Sequence, residues 1–228
     1  MKFTLIRSDK PEILTKRIIL DAHGALSKTT AGHLSRGRAT TESVADMREF
    51  ANFLDGLRPN EALVYGIIKD DIQMAAVATR EAYQNMPEAN RGGVITRSNT
   101  HFEWGTGAGI MQLDIDPLPD GTIIPADELL VLLEEFLFEA RCAPKIDKPS
   151  ASSHIYDSRT GEELIGPRGY RIYIAVDIAA KIPSVAEVLD QRLKAGGYGH
   201  IQISKNGQMR EKTLIDMAVY TRCHMDFA

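Results

Sequence analysis

The stretch Gly109-Ile110-Met111-Gln112-Leu113-Asp114-Ile115-Asp116-Pro117 constrains the fold more than any other. An apolar run enters two aspartates one residue apart, and a proline ends the pattern. Leu113 and Ile115 alternate with the acids, the period of a half-buried strand. Residues i and i+2 of a strand share a face, so both carboxylates point the same way. Two carboxylates that close repel unless a positive group sits between them. A divalent ion satisfies them, and hard oxygen ligands suit Mg²⁺ or Mn²⁺, whose usual work is clamping phosphates. The plainer alternative is a strand end with two solvated aspartates ahead of a Pro119-Asp120-Gly121 turn.

A strand of this kind needs a sheet around it, and 228 residues suffice for one large domain or a core with a subdomain. The formal net charge of −4 argues against non-specific coating of a polyanion. It leaves room for a local basic groove around an acidic metal centre. Cys142 and Cys223 have no zinc-site spacing and no disulfide framework. No signal peptide and no run of 18 apolar residues is present, so the expected setting is reducing, soluble and cytoplasmic, with no membrane partner.

Along the chain, Phe3–Ile6 reads as an opening strand, and Ile13–Leu20 as a broken apolar stretch. Thr29–Thr41, with His33, Arg36 and Arg38, reads as a basic loop. The spacing of Val44, Met47, Phe50, Phe53, Leu54 and Leu57 predicts a helix over 42–57, capped by Ser43 or Thr41. A strand is predicted over 62–68, a helix over 74–86 and a short strand at 94–96. After the glycine-rich turn 105–109 comes the acidic strand, then a strong helix over 126–141 behind Pro125. Residues 145–169 read as loop or hairpin, and 171–177 as a strand of high β character. Ser184 and Glu187 fit a capping box for a helix to Leu193. His200–Ser204 and Leu214–Tyr220 read as the last strands, joined by a hairpin around Asn206-Gly207. The expected class is α/β or α+β, with a mixed β-sheet flanked by helices. The expected division is an N-terminal α/β subdomain, 1–95, and a second subdomain, 96–228, that carries the acidic strand.

A second acid interrupts an apolar strand in Leu214-Ile215-Asp216-Met217-Ala218-Val219-Tyr220. A carboxylate among such neighbours is costly unless paired or metal-bound. The order of these acids resembles the archaeo-eukaryotic primase superfamily, which includes primase-polymerases of eukaryotes, plasmids and phages. Its first motif, apolar-Asp-apolar-Asp/Glu, is similar to Leu113-Asp114-Ile115-Asp116. Its third, a lone acid followed in primase-polymerases by apolar-Gly-Val-Tyr-Thr-basic, is similar to Asp216-Met217-Ala218-Val219-Tyr220-Thr221-Arg222. The resemblance covers roughly 97–227. Its second motif, Ser-x-His opening a strand, has two candidates here. Gly169-Tyr170-Arg171 has the position, with Gly for Ser and Arg for His; Ser152-Ser153-His154 has the spelling.

The resemblance implies an RNA-recognition-like catalytic half that forms a cleft with an N-terminal α/β half. It implies a template-directed nucleotidyltransferase, a DNA primase or primase-polymerase, working with two Mg²⁺ or Mn²⁺ ions held by Asp114, Asp116 and Asp216. One ion would activate the attacking hydroxyl and the other would stabilise the leaving pyrophosphate. Arg171 and His154 are candidates to orient the triphosphate; an arginine does so as a permanent cation with no proton to give. Lys205 and Arg222 are further candidates for phosphate contacts. Phe102 and Trp104 are candidates to stack a base, beside Arg97, and Arg36 and Arg38 to meet template phosphates. Expected partners are a single-stranded DNA template and nucleoside triphosphates (NTP or dNTP). The short tail after Tyr220 reads as a domain of a longer mobile-element replication protein, in which a helicase domain or subunit often follows. Two other readings stand beside this one. One is a replication-initiation nuclease, for which the usual His-x-His pair is missing. The other is a non-catalytic nucleic-acid-binding module that keeps the fold.

Overall fold

Strands outnumber helices in the computed structural model, which describes residues 1–9, 14–21, 23–30, 34–204 and 206–227. The class is mixed α and β, with a mixed sheet and few helices. The chain divides into two compact units. One comprises Met1–Ile110, Asp177–Ala179 and Thr221–Ala228; the other comprises Met111–Val176 and Ala180–Tyr220.

The first unit is built on a five-stranded sheet. Its strands are Lys2–Ser8 (β1), Arg36–Ser43 (β2), Glu61–Val64 (β3), Met74–Ala78 (β4) and Val94–Thr96 (β5), in the order β3-β1-β2-β4-β5. β4 and β5 run parallel; the other neighbours are antiparallel. On one face Ile6, Ala39, Ala62, Val64, Ala75, Val77 and Ile95 form a core with Ile68 and Phe102. On the other, Phe3 meets Phe50 and Phe53 of helix Met47–Asp55 (α1) edge-on, with ring centroids 5.5 and 5.0 Å apart.

Three sequence expectations change here. Residues 36–43 are a central strand, not a loop: small Gly37 and Ala39 face inward while Arg36 and Arg38 face out. Residues 74–78 are a strand, not the start of a helix. Ala75 and Val77 are buried in alternation, and Thr79 caps only a short helix, Arg80–Gln84. The α1 helix begins at 47, with Asp46 as its cap (Glu49 N to Asp46 Oδ1, 2.9 Å), because Ser43 and Thr41 are committed to β2. The stretch predicted from Ile13 begins outside the described residues, as does His33. Its described part, Lys16–Leu20, pairs with Leu26–Thr30.

The second unit carries most of Gly109–Ile115 (β6), then helix Ala126–Phe136 (α2), Lys145–Pro149 (β7), Tyr170–Val176 (β8) and helix Ile182–Leu193 (α3). The sheet order is β6-β8-β7, with β7 and β8 antiparallel. Ile215 makes an isolated antiparallel bridge to Ile115. The region predicted as loop or hairpin thus contains β7, followed by a small hairpin of Ile155–Tyr156 and Glu163–Ile165. The helix predicted from Ser184 starts at Ile182, with Pro183 in its first turn, because it continues from the 3₁₀ turn Ala179–Lys181. The last hairpin pairs His200–Ile203 with Met209–Lys212, not with 214–220. Residues 214–220 form no strand. Asp216 Oδ1 accepts from Ala218 N at 3.2 Å, which turns the chain into the 3₁₀ turn Met217–Tyr220. Among the described residues no helix is long and apolar enough to cross a membrane.

Candidate functional site

The acids meet through backbone pairing. Asp216 N donates to the Asp114 carbonyl at 3.0 Å, and the next residues along, Ile115 and Ile215, are bridge partners. That register sets Asp216 across from Asp114. Directly opposed antiparallel residues point to the same face, with Cβ atoms about 5 Å apart. Asp116 follows Asp114 by two residues but lies just past the end of β6, which stops at Ile115, and is exposed. Two segments far apart in sequence are therefore paired so that Asp114 and Asp216 stand opposite each other.

Positive groups already flank these acids. Lys212 Nζ lies 2.8 Å from Asp216 Oδ1, and Arg171 Nε lies 3.8 Å from Asp114 Oδ1. The Arg171 side chain is only 7% exposed; it projects from β8, where it stands opposite Lys148. Asp116 is exposed at the end of the strand. Among the described residues, no three His, Cys, Asp or Glu side chains are gathered as they would be around an ion. Carboxylates are the oxygen donors that Mg²⁺ or Mn²⁺ takes, but in the structure the counter-charges of Asp216 and Asp114 are the Lys212 ammonium and the Arg171 guanidinium.

Three other groups belong to this face or border it, and sequence reading did not single them out. Gln112 precedes Asp114 by two residues; it is 4% exposed, and its Oε1 has no hydrogen-bond partner among the described residues. Tyr220 is buried, and its hydroxyl likewise has no such partner. Burial first, and then the carboxylates of Asp114, Asp216 and Asp190, push its phenol far above the ordinary range, so it stays protonated. Asp190, on α3, accepts from Thr213 Oγ1 at 2.8 Å and pairs with Lys194 at 2.9 Å. The signal for Tyr220 was its place in the third motif; Lys212 and Asp190 carried none.

The remaining candidates fall elsewhere. His154 Nδ1 lies 2.8 Å from Glu163 at the small hairpin, and the residue is exposed with φ at 51°. Of the two second-motif candidates, then, Arg171 contacts a motif acid and His154 is paired with Glu163. The structure also explains the glycine before Arg171: a Cβ on Gly169 would lie 2.6 Å from the Ile115 carbonyl oxygen. A serine has no room there while β6 keeps its place. The adjacent Ser153 hydroxyl donates to the Gly169 carbonyl at 3.2 Å and accepts from Arg168 N at 2.9 Å.

Lys205 lies outside the described residues. Arg222 belongs to the first unit. Arg97, also there, donates to the Cys223 carbonyl at 3.3 Å. Phe102 is fully buried in the core of the first unit, so it is a packing residue and not a platform for a base; Trp104 is half-buried. Arg36 and Arg38 are exposed on β2, Arg36 within 3.6 Å of Asp9.

No protein-family model, curated protein or solved structure matches this chain. The functional reading therefore rests on the geometry of the acids and on the motif resemblance.

Proposed function

We propose that this chain is a template-directed nucleotidyltransferase of the archaeo-eukaryotic primase type, a primase or primase-polymerase. The observation that carries the reading is the bridge that sets Asp216 across from Asp114, with Asp116 two residues along and Arg171 beside them. The element order of the second unit supports the finer fold. Apart from the hairpins at 155–165 and 200–212, strand, helix, strand, strand, helix and a bridging segment follow one another, and laterally the order is Ile215 segment, β6, β8, β7. This order is what a split βαβ plan would have, and it supports the proposal of an RNA-recognition-like half.

In this reading Asp114, Asp116 and Asp216 would hold divalent ions, whose chemistry would be to stabilise developing negative charge in phosphoryl transfer. The protein's own contribution is to fix the donors and to orient the triphosphate. Arg171 suits the second task because its planar fork stays charged at every pH and is held by its burial. Single-stranded DNA and nucleoside triphosphates are the proposed partners.

The test is incubation with unprimed and primed single-stranded templates, labelled ribo- or deoxynucleotides, and Mg²⁺ or Mn²⁺. Template-dependent products are expected, and Asp116→Ala is expected to abolish them while the circular dichroism spectrum is kept. Products that persist in Asp116→Ala would overturn the assignment. The cation pairing of the acids favours one second reading, a nucleic-acid-binding module without catalysis. That reading predicts DNA binding with no Mn²⁺-dependent binding of a nucleoside triphosphate.

A further inference from the structure

We propose that the outer face of α2 is a docking groove for a basic amphipathic helix of a partner protein. α2 buries Leu129 and Leu133, yet its opposite side is not wholly polar. Val131 is 69% exposed there, and it lines an open groove of about 360 Å³ with Ile124, Leu132 and Tyr198. Three carboxylates, those of Asp127, Glu128 and Glu135, complete the lining. None of the three has an ion-pair partner among the described residues, whereas Glu134 is paired with Lys145 at 2.8 Å. Glu135 has no local reason to be acidic. It sits in the last turn of α2, where the helix dipole disfavours a carboxylate, and that turn holds no basic residue. An apolar floor ringed by uncompensated negative charge is the complement of a segment whose apolar residues are flanked by Lys or Arg. Docking here needs neither the acids of β6 nor any ion or nucleotide.

Packing leaves the wall of the groove little freedom. Tyr198 stands edge-on to Phe136, with ring centroids 5.7 Å apart. The turn that carries Tyr198 is pressed on the same ring, and a Cβ on Gly196 would clash with Phe136. Arg192 Nη1, from α3, donates to the Phe136 carbonyl at 2.8 Å and ties that end of α2 to α3. A preformed wall lowers the ordering cost of binding. Geometry selects a helix as the occupant. Glu128 and Glu135 are one heptad apart, about 10 Å along the axis at a rise of about 1.5 Å per residue. A second helix lying nearly parallel or antiparallel to α2 repeats its flanking side chains at the same spacing. Basic residues one heptad apart therefore meet both carboxylates, while the apolar residues between them enter the groove over Val131 and Leu132. The rim carboxylates repel nucleic acid and anionic lipid surfaces, and two α2 faces would repel each other.

The experiment uses the full chain and three fluorescently labelled model peptides of about three heptads. One has Leu at the a and d positions and Lys at the flanking e and g positions. The second has Glu in place of Lys. The third has the composition of the first in a shuffled order that removes the period. Binding is read by anisotropy, and the helix content of the peptide by circular dichroism. The Lys peptide is expected to bind about tenfold tighter than either of the others, to gain helix, and to weaken as salt rises. Val131→Asp and the double variant Glu128→Lys with Glu135→Lys alter exposed positions. Each is expected to keep the fold and to weaken binding of the Lys peptide about tenfold. No binding of the Lys peptide, equal binding of the shuffled one, or unchanged affinity in either variant overturns the proposal. Self-association of the chain that Val131→Asp abolishes, with no peptide bound, assigns the face to a second copy and overturns it too.

Discussion

At the residue scale, two positions beside the acids are set by close approach and by burial. Gly169 abuts the carbonyl of Ile115, the residue between Asp114 and Asp116 at the end of β6. Adding a side chain there drives β8 and β6 apart, an overpacking change of about 1–3 kcal/mol. Gly169→Ser restores the spelling of the primase second motif but is expected to lower the melting temperature and to weaken Mn²⁺ binding. Calorimetric melting and Mn²⁺ titration of the same variant check both effects. Tyr220 makes the opposite case. Its buried hydroxyl has no hydrogen-bond partner among the described residues, and removing such a group relieves a desolvation cost. Tyr220→Phe is therefore expected to leave ion-free stability unchanged or raise it by about 1 kcal/mol, read from chemical denaturation. A loss of 2 kcal/mol or more would mean that the hydroxyl is bonded in solution.

At the scale of elements, period and polarity decide how much of the fold could be read. The acidic strand, the strand over 170–176 and the helix from Ala126 were legible because long, strongly patterned runs leave one option. β2 and β4 were hidden. Gly37, Ala39 and Ala75 carry too little side chain to display a buried face, and Ala-rich 74–78 has helix-favouring composition overridden by sheet pairing. The acid pair could be picked out because its spacing is in the sequence itself. Lys212 was not, since only the turn between it and Asp216 brings it to the carboxylate. The turn after β5 offers a pH-dependent prediction. His101 Nδ1 accepts from Thr96 N at 3.3 Å and lies 3.1 Å from Thr96 Oγ1. Burial first, and then the nearby charge of Lys69, lower its pKa below the ordinary 6.5; the Thr96 contact opposes them. The unfolded chain then binds the proton more readily than the folded one. Stability is expected to fall as pH drops from about 6.5 to the depressed folded value, and to level off below it. His101→Gln is expected to flatten this component of the melting temperature between pH 7 and 5. Identical pH profiles for the two proteins would remove His101 as its source.

At the scale of the whole molecule, neither unit is one continuous piece of chain. The segment 221–228 returns to the first unit immediately after Tyr220 closes the second. Its anchor is specific. Asp226 N donates to the Leu63 carbonyl at 2.8 Å, and Leu63 N donates to the Asp226 carbonyl at 2.9 Å. The Tyr65 hydroxyl donates to Asp226 Oδ2 at 2.6 Å, and Asp226 is 2% exposed. The return stroke thus adds a bridge to β3 and buries a carboxylate against a phenol. A short bond to a buried charge contributes more than a neutral one, and breaking it leaves the partner's hydroxyl without its acceptor. Asp226→Ala is expected to cost about 2–4 kcal/mol and to speed amide exchange at Leu63 and its β1 neighbours. Asp226→Asn, which keeps an acceptor for Tyr65, should cost less. Because the altered residue lies in the first unit and the three acids lie in the second, Mn²⁺ binding to the folded Asp226→Ala protein is expected to persist. Its loss, with the second unit's exchange protection intact, would mean that anchoring the tail is itself required for the acids to bind the ion.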